Sequence, residues 1–369
     1  MTIGIVLILA VGCSKPIGEN PIESAENQEK ISMDSNGNSL VISAVIPDYP
    51  SMVHSYFVKF YQPEEDIAIQ DLMLHEPDQR QEWALGPQYR YKNVESLQFC
   101  NEVVCGGLQY VKYAADSNIN IQAELKNLKT GITPQEYPSN NAGKEPEGLL
   151  HFSQEKELES LTRKDLMDAL DQLWIDLKLP SLEMRACYAR DKDTLNRNLE
   201  QYNNLLRDYN PDEVYEYSFS NDDEDYFILY RQVINGIPLI SQNWYREVVA
   251  SPIFTVFEVE YSPLYGLTSL QISNLFEVGE AESTVEIADP VKAIDVYAKE
   301  HEKSLHFDTT EICDIELNYL IVNDEKGLIA IPAWILTSKT VLQDQTVNYE
   351  ITAIDAESLD ILRSGNIGK

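Results

Sequence analysis

Chemistry in a protein chain needs nucleophiles, acid–base groups or metal ligands at usable spacings, and this sequence offers few. Its five histidines, His54, His75, His151, His301 and His306, stand apart and form no HExxH or other metal-helix pattern. No G-x-S-x-G elbow, P-loop or Rossmann glycine pattern occurs. The densest acidic run is Asn221-Asp222-Asp223-Glu224-Asp225. Hard cations such as Ca²⁺ want several oxygens, but the run lacks the EF-hand spacing and its terminal Glu, so it reads as a solvated tip between two strands. With 61 acids in the chain, a glycosidase-type carboxylate pair has no distinguishing position in the sequence. The expectation is a non-enzyme with no catalytic residues, no metal and no cofactor.

Five cysteines remain: Cys13, Cys100, Cys105, Cys187 and Cys313. A zinc site needs about four ligands, and no second Cys/His pair has a suitable spacing. Cys100 and Cys105 flank the short segment CNEVVCGG, where a local disulfide and a pair of free buried thiols are both open. Cys187 and Cys313 read as ordinary core residues.

Cys13 is different. Residues 1–12, MTIGIVLILAVG, are apolar and uncharged. Spanning a bilayer takes about 20 such residues, so the run is too short for a membrane helix and fits the apolar core of a secretion signal. It ends in Ala10-Val11-Gly12-Cys13. This resembles the lipobox of bacterial lipoproteins, although Ala10 stands where leucine is usual. The resemblance implies cleavage before Cys13, lipidation of its thiol and attachment to the outer face of the cell membrane. The missing positive leader places the true start codon upstream of Met1. Residues 13–40 are then expected to be a disordered tether, rich in Ser, Asn, Glu, Gly and Pro.

The elements that follow must account for a chain that is 43% hydrophobic, with 21 tyrosines and a formal net charge of -33. That much apolar material supports packed cores. Tyrosine suits half-buried strand faces. Such a polyanion is repelled by nucleic acid, whose affinity comes mainly from Lys/Arg–phosphate contacts. It is suited to solvation in a salty exterior.

Residues 41–133 carry short strand-like runs at 40–46, 56–61 and 108–113, with one helix-compatible stretch at 66–75, and are expected to form a smaller β-rich domain. The Pro- and Asn-rich residues 134–150 are expected to be a linker. Thr162, with Asp165 three residues on, can cap a helix carrying Leu166, Leu170, Leu173, Trp174 and Leu177 at helical spacing, stopped by Pro180. A second helix is expected over 191–209. The period then becomes two. Strands are expected at 214–219, 226–233, 237–240, 254–261 and 267–278, with a tight Asn235-Gly236 turn between the second and third. Asp289 and Pro290 start another helix, and strands at 315–322, 328–337 and 347–355 follow. The expected fold class is α+β, with tandem helix-plus-antiparallel-meander units at 151–282 and 283–369 behind the β-rich domain.

Tyr230-Arg231-Gln232-Val233-Ile234-Asn235-Gly236-Ile237-Pro238 resembles the Q-x-I-N-G-I-P hairpin of PepSY-like domains and of the extracellular regulatory proteins YycH and YycI of Gram-positive bacteria. Ile331-Pro332-Ala333-Trp334, with residues 349–356, resembles their P-x-W … I-N-A-x-x-G ending, Thr352 and Ala356 replacing Asn and Gly. The same plan occurs in uncharacterised clostridial lipoproteins. The resemblance implies a PepSY/cystatin-like fold and a protein that modulates a partner. The function expected is a lipid-anchored extracellular lipoprotein that binds or regulates another envelope protein. The alternative is a solute- or peptide-binding lipoprotein that feeds a transporter.

Overall fold

Apolar and polar residues alternate in several segments of the chain, and that period of two draws them into strands. A computed structural model describes residues 31–35, 38–73, 75–84, 86–100, 106–113, 119–132, 150–209, 214–240, 256–302, 309–324, 326–341 and 347–362. The first part holds β1 (Ile31–Ser35), β2 (Asn38–Ile42), β3 (Met52–Phe60), α1 (Glu65–Leu72), β4 (Gln79–Trp83), β5 (Gly86–Tyr91), β6 (Glu95–Cys100), β7 (Gly107–Lys112) and α2 (Ile119–Gly131). The middle holds α3 (Arg163–Asp176), β8 (Leu182–Arg190), α4 (Lys192–Tyr209), β9 (Asp225–Ile234), β10 (Ile237–Pro238), β11 (Val256–Ser262), β12 (Gly266–Ser273) and β13 (Phe276–Glu286). The end holds α5 (Pro290–His301), β14 (Thr309–Asp324), β15 (Gly327–Val341), β16 (Val347–Asp355) and β17 (Ile361–Leu362).

These strands make two large sheets. One runs β10-β9-β11-β12-β7-β6-β5-β4, with β8 also on β9. The other runs β1-β2-β14-β15-β16-β17, with β3 joining β15 to β13. Among the described strands pairing is antiparallel except where β2 lies parallel to β14, and an isolated bridge from Leu239 to Tyr319 is parallel too.

The expected helix-plus-meander units are therefore overturned. Among the described residues 48% are strand and 25% helix, with five helices, and both sheets draw on distant parts of the chain. The reason is edge pairing. A meander leaves the N–H and C=O groups of its outer strand open. The edge of β12 is taken by β7, from the segment expected to be a separate β-rich domain. β15 is longer than β16, and its overhang at Leu328–Ala330 pairs with β3. Residues 31–35 and 38–40, expected in the tether, form β1 and part of β2, and Leu40 is buried.

Helices cover the long sheet on both faces. Leu166, Leu170 and Trp174 of α3 and Ala68 and Leu72 of α1 meet Cys187, Tyr226 and Ile228. On the opposite face Leu128, Leu195 and Leu199 meet Tyr188 and Phe227. The α3 cap forms as its sequence suggests: Thr162 Oγ1 accepts from Asp165 N at 3.2 Å. α5 starts on Asp289, which accepts from Val291 N at 2.9 Å. It packs Ile294 and Tyr297 near Trp334, which is fully buried. An indole burying about 150–250 Å² at about 25 cal/mol/Å² stabilises the fold by about 4–6 kcal/mol. Its Nε1 donates to Ala288 O at 2.9 Å, so the anchor also ties the start of α5 to β15.

The expected strand at 214–219 does not form. That segment is extended but pairs with side chains of α4. Asn203 exchanges two hydrogen bonds with the backbone of Tyr215, at 2.9 and 3.0 Å, and Asn196 does the same with Phe219, at 2.8 and 2.9 Å. An amide carries both a donor and an acceptor, so it can replace a neighbouring strand at one position.

Candidate functional site

Asn235 and Gly236 have φ of 50° and 84°, the two left-handed positions of a tight hairpin turn. The β9–β10 hairpin they close carries the chain from one sheet to the other. Leu239 bridges to Tyr319 of β14, and Ile240 N donates to Tyr319 O at 3.0 Å. Where the sheets meet lies a cleft of about 460 Å³. Four elements shape it: the end of β3 (Tyr61, Gln62), the end of α3 (Leu177, Lys178), the hairpin (Gln232, Asn235) and the start of β13.

Gln232 is fully buried at its base. Its Nε2 donates to Phe276 O at 2.7 Å and its Oε1 accepts from Phe276 N at 2.8 Å. One side chain thus clasps β9 to β13 as a strand would. Tyr61 Oη donates to Leu177 O at 2.7 Å, closing the α3 end. Burial raises the Tyr61 phenol above its usual range, with Glu64 and Glu277 adding to the effect. Lys178 pairs with Glu64 at 2.7 Å and Lys59 with Glu277 at 2.7 Å, so both cleft carboxylates carry a cationic partner. The walls also offer apolar Val233, Ile234 and Val278. Each cleft carboxylate is thus engaged in an ion pair, and the phenol stays neutral.

A second concentration of charge is buried beside α2. Arg190, 1% exposed, holds Asp225 with Nε–Oδ1 at 2.6 Å and NH2–Oδ2 at 2.7 Å, and reaches Glu260 at 3.0 Å. Lys129 meets Asp225 at 3.0 Å, and Lys126 donates to Ser269 Oγ at 2.6 Å. Burial alone would lower the Arg190 pKa, but the facing carboxylates outweigh it and raise it. Burial would raise Asp225, yet Arg190 and Lys129 hold it below the usual carboxylate range. Glu258, two residues from Glu260 on the same strand, is raised by burial and by that neighbour. The arrangement is an ion-pair network fixing β8, β9 and β11 to α2.

The acidic run of the sequence forms a 3-10 turn, Asn221–Asp223, ahead of β9. Asp223 and Glu224 are engaged by nearby groups. Asp223 accepts from Ser220 N at 2.8 Å and from Tyr217 at 2.9 Å, and Glu224 accepts from Lys192 N at 3.1 Å. Among the described residues no group of three or more His, Cys, Asp or Glu is placed to hold a metal ion. His54 lies 3.1 Å from Thr284, His75 stacks on Tyr91 at 4.2 Å, His301 stacks on Tyr297, and His151 is exposed. Cys187 and Cys313 are free thiols, and Cys100 is disulfide-bonded. Cys13, Cys105, His306, the expected signal residues 1–12 and all of the expected linker except Leu150 lie outside the described residues. No described helix is long and apolar enough to cross a membrane.

Sequence reasoning missed Arg190 and the clasping role of Gln232. An arginine closing the apolar run Ala186–Ala189 was the available signal for the first. The hairpin motif already contained the second, but nothing local names Phe276 as its partner.

No protein-family model matches the chain, and no curated protein matches it. A solved structure is similar: an uncharacterized protein from Eubacterium rectale ATCC 33656, with a TM-score of 0.60 and 12% identity over 91% of this chain and 94% of that one. At that identity the likeness shows a shared fold and nothing of activity.

Proposed function

We propose that this chain is an exported binding protein without catalysis of its own, held to the outer face of a bacterial membrane through a lipid on Cys13, and that its junction cleft receives a segment of another envelope protein. The cleft carries the reading. It lies where strands of both sheets converge with the end of α3, and its carboxylates already have partners, so an incoming segment meets a surface that needs little rearrangement. A photo-crosslinking residue in place of Val278, 42% exposed at the cleft, tests it in intact cells. The expected result is one envelope protein captured there and not from Ile175, 69% exposed on α3. Identical adducts from both positions, or none, would refute it. The anchor is tested separately by labelling with a tagged fatty acid: a Cys13→Ser chain that still took up label would remove that part of the reading.

A second reading is a solute- or peptide-binding lipoprotein that delivers its ligand to a transporter. The cleft volume favours it, since small-ligand sites typically occupy about 300–1,000 Å³. Mass spectrometry of material released on denaturing the protein purified from its own cells would show one enriched small molecule if this reading holds.

A further inference from the structure

β13 is an outer strand: among the described strands it pairs with β3 and no other. An antiparallel strand turns the N–H and C=O of successive residues to opposite sides. Leu275 O accepts from Tyr61 N at 2.8 Å, and Ile287 N donates to Ser51 O at 2.9 Å, so these two residues face the β3 side. Their neighbours face outward. Phe276 does so onto the Gln232 amide, and Ala288 N onto Ala356 O at 2.7 Å. The protein thus closes this edge itself at both ends. Between them, over residues 278–286, the outward backbone groups meet no partner among the described residues.

On β3 the open stretch is matched by Val58 to Met52, so it spans about 20 Å at about 3.3 Å per residue. Val278 to Ala281, Ser283 and Thr284 are exposed. A bare edge is a template for another strand unless it is short, covered, or blunted by proline, bulges or charge. β13 is 11 residues long, against the usual 5–6, and has no proline. Its guards are two bulges and four glutamates, Glu277, Glu280, Glu282 and Glu286, with no cation on the strand itself. Lys59 pairs with Glu277 and Lys326 with Glu282. Glu280 and Glu286 are exposed and have no cationic partner among the described residues. Such a guard is selective. A second copy of this chain would set the same glutamates opposite them, and like charges directly opposite destabilise a strand pair. A strand carrying lysine or arginine meets the opposite sign.

We propose that β13 takes up an extended basic segment of another protein as an added strand, beginning at the cleft, where Val278 is the first open residue. The inference rests on the cleft reading above and names how the incoming segment is held: main-chain hydrogen bonds supply the grip and charge selects the partner. Gln232 already gives Phe276 the pair of bonds that a strand residue would give, and the added strand continues that pattern from Val278 onward.

Fluorescence anisotropy of the full-length chain, carrying Cys13→Ser to keep it free of lipid, tests the proposal with a labelled alternating Lys-Val heptapeptide as the probe. Saturable binding is expected. The same peptide methylated on every backbone nitrogen keeps its charges and loses its donors, and should bind at least about tenfold more weakly. An alternating Glu-Val heptapeptide should not bind. Val278→Pro removes an outward N–H and no bond to β3, and should weaken binding about as much as methylation. Glu200→Gln, exposed on α4, should leave it unchanged, and equal melting temperatures would show that both variants fold. Absence of saturable binding overturns the proposal. So does equal binding of the methylated peptide, which needs no folded variant, and so does a dimer of the parent chain that Val278→Pro dissolves. Adducts from Val278 in cells without peptide binding would overturn this inference alone. Peptide binding without such adducts would overturn the cleft reading and leave the open edge standing.

Discussion

Replacing Arg190 by methionine should be among the most damaging single changes available in this protein. The guanidinium is 1% exposed and faces two carboxylates, Asp225 at 2.6 and 2.7 Å and Glu260 at 3.0 Å. At an effective dielectric of about 20, unit charges about 4 Å apart attract by about 4 kcal/mol, so two such partners supply about 8 kcal/mol. Arginine's own desolvation offsets several kcal/mol of that. Removing it leaves Asp225 with Lys129 and Glu260 with the more distant Lys126, at 3.0 and 3.7 Å. The net loss expected is about 3–5 kcal/mol, the range for breaking a buried pair by deleting one partner. Against a typical total of about 5–15 kcal/mol this is a large fraction. Urea unfolding followed by tyrosine and tryptophan fluorescence measures it. The triple variant Arg190→Met, Asp225→Leu, Glu260→Leu should recover part of the loss, because the two carboxylates stranded by the single change are then gone, while Lys129 and Lys126 lose those ion-pair partners and Lys129 keeps its bond to Asp223 O. If the single and triple variants were equally destabilised, or the single variant lost under about 1 kcal/mol, stranded charge would not be the cause and the argument would fail.

Other consequences follow from the same geometry. Gln232→Leu leaves the N–H and C=O of Phe276 without the amide that satisfies them, at about 1–3 kcal/mol each, and urea midpoints should fall accordingly. Asp225 is depressed in the folded chain, so its contribution to stability is fully present above the unfolded carboxylate value of about 3.9 and is lost as pH falls through its folded value; Asp225→Asn should flatten the dependence of melting temperature on pH below about 4. Burial pushes the Cys187 thiol up to about 11, so at pH 8 it should resist alkylation until the protein is unfolded. Asp289→Ala removes the cap of α5 at Val291 N and should cost about 0.5–2 kcal/mol by thermal melting.

Local signals were read correctly where they are self-contained. Thr162 with Asp165, Asp289 with Pro290, and Asn235-Gly236 each complete their work within a few residues, through a cap or a pair of left-handed dihedrals. The strand at 347–355 also forms where alternation placed it. Alternation alone misread residues 214–219, because an alternating segment pairs with whatever donors and acceptors reach it, and here those are Asn196 and Asn203 of α4. It also gave no sign that Asn274, with φ of 56°, breaks the expected strand at 267–278 into β12 and β13.

The sequence by itself determined the charge, the apolar run that precedes Cys13, the helix starts and the tight hairpin, since each depends on residues adjacent along the chain. Only the tertiary structure decided that β7 completes β12, that β3 enters the second sheet, and that Arg190 meets Asp225 and Glu260. The first two join strands more than a hundred residues apart and the third joins strands 35 and 70 residues apart, and register over such distances is set by which open edges and apolar faces find one another when the whole chain folds.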